Sequence, residues 1–173
     1  MPNKKHYIIT TITLGAIAMG SAALIGAANL ITKNRIEQNE IKKFNEGITA
    51  IFGENSSSSP FILDINNHYL VSSYHVDKNE ETYGWAIRTT GSNMYGKISM
   101  LVGFTYESKS FIGIYLISNE QTYATTLVEN YVTPLNDGDI GLDDTKCGAT
   151  YGATLIREMV SEAQDYVNGI IYE

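Results

Sequence analysis

The sequence predicts an α+β protein, an antiparallel sheet with flanking helices, preceded by one N-terminal transmembrane helix. A stretch of 26 residues without a charged side chain lies near the start of the 173-residue chain. Runs of β-branched and aromatic residues, separated by turn residues, fill its middle. Helix-period segments stand in separate blocks before and after those runs, without the βαβ alternation of a parallel sheet. At 43% hydrophobic and 18% charged, the composition is that of a chain able to bury a core.

The uncharged stretch runs from Tyr7 to Thr32, with Lys4 and Lys5 before it and Lys33 and Arg35 after it. As a helix at about 1.5 Å per residue it would reach roughly 39 Å, beyond the roughly 30 Å of a hydrocarbon core. The rival reading is a cleaved secretory signal, for which Ala22, Ala23, Ala27 and Ala28 offer small-residue sites. Length and the closing cations favour a retained anchor, giving an anchor over 1–33 and one domain over 34–173. Residues 1–43 hold six Lys/Arg against two Glu, a net of +4, whereas the remaining 130 residues hold six basic and seventeen acidic groups, or −11. The two parts therefore suit different surroundings, and the acidic body argues against nucleic acid. Cations flank both ends of the span, so the orientation follows from the body, which can be exported regardless of its charge. The domain is expected on the extracytoplasmic side of a single-pass cell-membrane protein.

Arg35 to Phe52 carries apolar side chains at Ile36, Ile41, Phe44, Ile48, Ile51 and Phe52, near a 3.6-residue period, and predicts a helix that Gly53 stops. Glu54 to Pro60 (ENSSSSP) reads as a polar loop. Strands are predicted over Tyr69–Tyr74, Thr82–Thr89, Lys97–Tyr106 and Ser110–Ser118, the last two joined through Glu107-Ser108-Lys109. Of twelve tyrosines, nine fall between Tyr69 and Tyr151; a half-buried sheet accounts for them, and an aromatic ligand site is the alternative. The predicted last element is an amphipathic helix, Thr154 to Asn168, with Leu155, Ile156, Met159, Val160, Ala163 and Val167 on one stripe.

Three histidines (His6, His68, His75) and the single Cys147 are too few and too scattered to predict a metal site. Nucleotide-loop, nucleophile-elbow and zinc-protease signatures do not occur, so no ordinary hydrolase is expected. What remains is Asp143-Asp144-Thr145-Lys146-Cys147-Gly148-Ala149-Thr150, directly ahead of the last helix. Small residues there let the backbone approach a ligand, N–H groups at a helix start favour an anion such as phosphate, and Thr150 brings a hydroxyl to it. The alternative is a glycine turn whose Thr and Asp residues cap the helix.

Asp144-x-x-Cys147-Gly148-Ala149-Thr150 resembles the D-x-x-[S/T]-G-A-T flavinylation motif of the FMN-binding domain found in the RnfG and NqrC subunits of membrane-bound, ion-translocating redox complexes. In that family a flavin transferase joins FMN through its phosphate to the hydroxyl of the motif's threonine. The resemblance implies that Thr150 is the acceptor, that Asp144 is part of the signal the transferase reads, and that Gly148 and Ala149 allow close approach. The order of features is similar along nearly the whole chain: a single span, a helix, strands with a G-Y-G-G-type turn, an E-T-P-G-type loop near the flavin ring, then the motif and a closing helix. Tyr95-Gly96 stands where the turn is expected and Glu120-Gln121-Thr122-Tyr123 where the loop is, which implies Glu120 and Thr122 as further flavin neighbours. The chain departs from the pattern at Cys147, in a loop without Pro or Gly, and at Gly152-Ala153 in place of the usual T-S. A second Gly152-Ala153-Thr154 copy lacks an Asp at the matching position, which makes Thr154 the lesser acceptor candidate.

The resemblance implies an electron-transfer subunit carrying covalent FMN, with the other membrane subunits of an Rnf- or Nqr-type complex and a flavin transferase as partners. It would be a redox subunit rather than a self-sufficient enzyme, and with one span it would couple to ion transport only through those partners. The alternatives are a stand-alone membrane-anchored flavoprotein serving extracellular acceptors, and an unflavinylated surface domain.

Overall fold

Five strands follow one another as an antiparallel meander in the computed structural model, which describes residues 4–61, 68–79 and 81–170. A long helix, α1 (Lys4–Phe52), precedes β1 (Ser56–Phe61), β2 (Leu70–Lys78), β3 (Glu81–Asn93), β4 (Gly96–Thr105) and β5 (Phe111–Asn119). Short helical segments follow: α2 (Ala124–Leu127), a π-helical turn (Val128–Val132) and α3 (Thr133–Asp137). The 20-residue α4 (Thr150–Gly169) is the last described element. The fold is α+β, as the sequence predicts.

The chain divides into two compact units, Met1–Lys42 and Lys43–Glu173. Within the first, Tyr7–Ala27 is a 21-residue helical stretch of mean hydropathy 2.0 with none of it buried, long and apolar enough to cross a membrane. A secretory signal shares that length and apolarity. Of the apolar stripe predicted for Arg35 to Phe52, Ile36 and Ile41 are exposed, whereas Ile48 and Phe52 in the second unit are buried.

In the second unit the sheet is covered on both faces, and strand alternation decides which side chain goes where. From β4, Ile98, Met100, Val102 and Phe104 enter one core with Trp85 and Ile87 of β3 and with Leu155, Ile156, Met159, Val160, Ala163 and Val167 of α4. These α4 residues are the stripe read from the sequence. Leu101 points the other way, into a smaller cluster of Ile48, Phe52, Val76, Ala86 and Ile117 that seats the last turns of α1. Two glycines make this second contact close. A Cβ on Gly103 would meet Ile51 Cγ2 and, at 3.1 Å, Phe52 Cζ; one on Gly84 would meet the Phe104 carbonyl oxygen and, at 2.7 Å, Phe52 Cε1. Lys78 Nζ donates to the Phe52 carbonyl at 2.8 Å and lies 5.0 Å from the Tyr83 ring centroid, so the end of α1 is tied to β2.

The structure corrects the sequence reading at three places. The serine run predicted as a loop is the edge strand β1, paired in register from Ser56 opposite Lys78 to Phe61 opposite Ser73. A ladder of backbone hydrogen bonds does not require apolar side chains, and an edge strand tolerates Pro60. The β-branched and aromatic composition that continues to about Tyr131 does not extend the sheet: residues 124–137 are helical, with Leu127, Tyr131, Val132 and Leu135 buried on one side of them. Burial there overrides the poor helix propensities of Thr125, Thr126, Val128, Thr133 and Pro134. Finally, α4 begins at Thr150 rather than Thr154, with Gly152 and Ala153 already buried.

Gly103→Ala should lower stability by about 1–3 kcal/mol, the usual cost of overpacking, measured by urea unfolding followed through Trp85, the only tryptophan. An unchanged midpoint would show that α1 does not rest on β4 at this glycine.

Candidate functional site

Three segments distant in sequence meet at the start of α4. The first is the turn between β3 and β4, where Asn93 Oδ1 accepts the Tyr95 N–H at 2.9 Å, closing an Asx-type turn. The second is the loop after β5, where the Thr122 N–H donates to the Tyr95 carbonyl at 2.9 Å and the Glu120 N–H to that of Lys97 at 2.8 Å. Gly96 is required between them: its φ is +135°, and a Cβ there would collide with the Glu120 carbonyl. The third is α4 itself, reached by Asn93 Nδ2, which donates to the Tyr151 carbonyl at 3.0 Å.

Between these segments lies a cleft of about 240 Å³ lined by Tyr95, Gln121, Tyr123, Leu127 and the run Gly148 to Gly152. Gly152 sets its floor, since a Cβ there would lie 2.8 Å from Leu127 Cδ2. The aromatic rings form a group, with Tyr95 and Tyr151 centroids 5.1 Å apart and Tyr95 and Tyr123 centroids 6.2 Å apart. Tyr123 and Tyr151 remain 55% and 61% exposed. Of the tyrosines, Tyr69, Tyr74 and Tyr115 pack around the sheet, while Tyr95, Tyr123 and Tyr151 surround a cleft.

Gly148, Ala149 and Thr150 are in the lining, and Thr150, exposed, is the first residue of α4. The N-cap is Ala149, and no side chain caps the helix. The capping alternative therefore does not describe this helix start, whose first N–H groups are the kind that favour an anion. Gly148 has φ of +84°, a conformation that suits glycine. Thr154 is half-buried, one turn into the helix and outside the cleft lining.

Asp144 and Cys147 shape the approach to the site and do not line it. Asp144 Oδ2 accepts the Gly141 N–H at 2.8 Å while its own N–H donates to the Gly141 carbonyl at 3.1 Å, a reciprocal closure of the turn. Asn130 Nδ2 donates to the Cys147 carbonyl at 3.1 Å, holding the segment just before Gly148 against the π-helical turn. Glu120 and Thr122 are exposed and outside the lining; the Thr122 hydroxyl donates to the Tyr95 carbonyl at 3.3 Å. Gln121, between them, lines the cleft, and the sequence reading passed over it. Its signal was its place in the loop, but which of the four neighbours line the cleft, here Gln121 and Tyr123, depends on how that loop leaves β5.

No protein-family model matches the chain, and no characterised protein matches it in sequence.

Tyr131 anchors the approach loop from below. Its buried hydroxyl donates to the Leu142 carbonyl at 2.6 Å. Burial pushes the phenol up to about 12, with the positive charge of Arg157 pulling the other way. A tyrosine in the unfolded chain titrates near 10, so the folded state holds this proton more tightly. The resulting stability is complete below about pH 10 and is lost as pH rises towards 12. The urea midpoint should fall across that interval, and Tyr131→Phe should remove this component of the fall while lowering stability at pH 7 by about 1 kcal/mol for the lost hydrogen bond. An identical alkaline profile in the variant would exclude Tyr131 as its source.

Proposed function

We infer that this chain is an electron-transfer subunit, similar to RnfG, that carries FMN esterified through its phosphate to Thr150. One observation carries the reading: the motif that resembles a flavinylation signal places its threonine, exposed, at an uncapped helix start inside an aromatic-lined cleft. The residues suit the group on three counts. The start of α4 offers N–H groups to a phosphate, Gly148 and Ala149 leave the backbone approachable, and three tyrosine rings offer faces to a flat ring system. The volume lies a little under the roughly 300–1,000 Å³ of enclosed ligand sites, which suits a cofactor held partly on the surface and accessible to redox partners.

When bound, the flavin supplies the capacity to accept and pass on electrons, and the protein positions it. Thr150 retains the cofactor by a covalent bond, which matters outside the cytoplasm, where a dissociated flavin is lost to the medium. The apolar helix Tyr7–Ala27 serves as a retained anchor, with the domain on the extracytoplasmic side beside the other membrane subunits of an Rnf- or Nqr-type complex. Cys147 stands where the motif has Ser or Thr and approximates serine in size. Its carbonyl, rather than its side chain, has the contact to Asn130, so the substitution leaves that hold intact.

Co-expression of the full chain with a flavin transferase should give a fluorescent band on a denaturing gel and a mass increase corresponding to one FMN. Thr150→Val should abolish both, and Thr154→Val should retain both. Absence of label from the unsubstituted chain overturns the covalent reading; label lost only in the Thr154 variant overturns the acceptor assignment.

A further inference from the structure

One side-chain oxygen of the cleft is an acceptor that no described residue engages. Gln121 is 7% exposed and lines the cleft. Both of its amide hydrogens are engaged, because Nε2 donates to Asn93 Oδ1 at 3.1 Å and to the Gly96 carbonyl at 2.5 Å. Two acceptors on that side establish which end of the amide is nitrogen. The other end, Oε1, accepts no hydrogen bond from any described residue and lies 3.4 Å from where a side chain on Gly152 would begin. Asn93 is not free to turn towards it, since Oδ1 also accepts the Tyr95 N–H and Nδ2 is committed to the Tyr151 carbonyl. With both hydrogens committed on its far side, Gln121 leaves Oε1 at the cleft as an acceptor that an entering group can engage.

The rest of the lining describes that entrant. Tyr95, Tyr123 and Tyr151 offer aromatic faces, Leu127 an apolar floor, and no Asp, Glu, Lys or Arg is among the lining residues. The complement is a flat, uncharged aromatic ring with an N–H donor on its edge.

We propose that Gln121 Oε1 accepts a ring N–H from a planar heteroaromatic ligand held among Tyr95, Tyr123 and Tyr151. This assignment rests on the flavin reading above, on which the donor is the imide N–H of the isoalloxazine ring. Gln121 is then a specificity-determining residue: it selects rings with an unsubstituted imide, and its own orientation is set by Asn93 and the Gly96 carbonyl.

The test uses the full chain carrying Thr150→Val in detergent micelles, so that no ester can form. Riboflavin and 3-methylriboflavin, which lacks the imide hydrogen, are titrated by quenching of flavin fluorescence. Riboflavin should bind about tenfold tighter or more, because an acceptor that the bound ring covers is left unpaired when the ring carries no donor. Adding Gln121→Met should bring the ratio close to one, whereas a purely structural glutamine would weaken both ligands alike and leave the ratio unchanged. Equal binding of the two flavins by the parent, a ratio that survives Gln121→Met, or no quenching by riboflavin overturns the assignment. Should Gln121→Met fail to fold, the ratio measured on the parent decides alone. The covalent reading is scored separately, by label on the denatured band with Thr150 intact. Discrimination without label leaves the Gln121 assignment standing and removes the ester; label without discrimination does the reverse.

Discussion

Strand β4 has to be buried on both faces at once, and most of the domain follows from that requirement. Ile98, Met100, Val102 and Phe104 need an apolar layer on one side, while Leu101 and the close approach over Gly103 need one on the other. A lone meander would leave one of these faces in water. With each large apolar side chain contributing about 1.5–3 kcal/mol on burial, both faces are worth covering. The last turns of α1 cover one, and α4, with α2 and α3 beside it, covers the other. Fixing α4 over the sheet also fixes where its first turn emerges, and there the candidate site forms.

The site owes its shape to backbone geometry more than to charged groups. Gly96 lets the β3–β4 turn touch the loop after β5, Gly152 lets α4 start against Leu127, and Gly148 turns the approach loop inward. Asn93 and Gln121 bind the three segments together through amide hydrogen bonds, which hold geometry without the desolvation cost of buried ions. The cleft is thereby held in shape without a charged residue in its lining.

Much of this was legible in the residues. The long apolar stretch, the α4 stripe, the β4–β5 hairpin and the order of elements depend on local period and composition, which a sequence states directly. The Gly148-Ala149-Thr150 run was legible as a place where the backbone can be approached closely, because small residues carry that meaning wherever they occur. The serine strand was not, because β1 contributes backbone pairing and little apolar surface. Residues 124–137 were not, because β-branched residues there become helical only when Leu127, Tyr131 and Leu135 find the core. Gln121 was missed for a related reason: a polar residue in a polar loop acquires a role only when neighbours remote in sequence consume its hydrogens and leave its oxygen facing a cleft.

The sequence by itself therefore determined the class of the fold, an apolar helix long enough for a bilayer, and a threonine among small residues ahead of the last helix. These are consequences of periodicity and side-chain size within short windows. Tertiary structure decided that this threonine shares a cleft with Tyr95, Tyr123 and Tyr151, that Asp144 closes a turn of its own, and that Gln121, not Glu120 or Thr122, faces inward. The physical reason is that a cleft is made of distances between segments, and those distances exist only after both faces of the sheet have been covered.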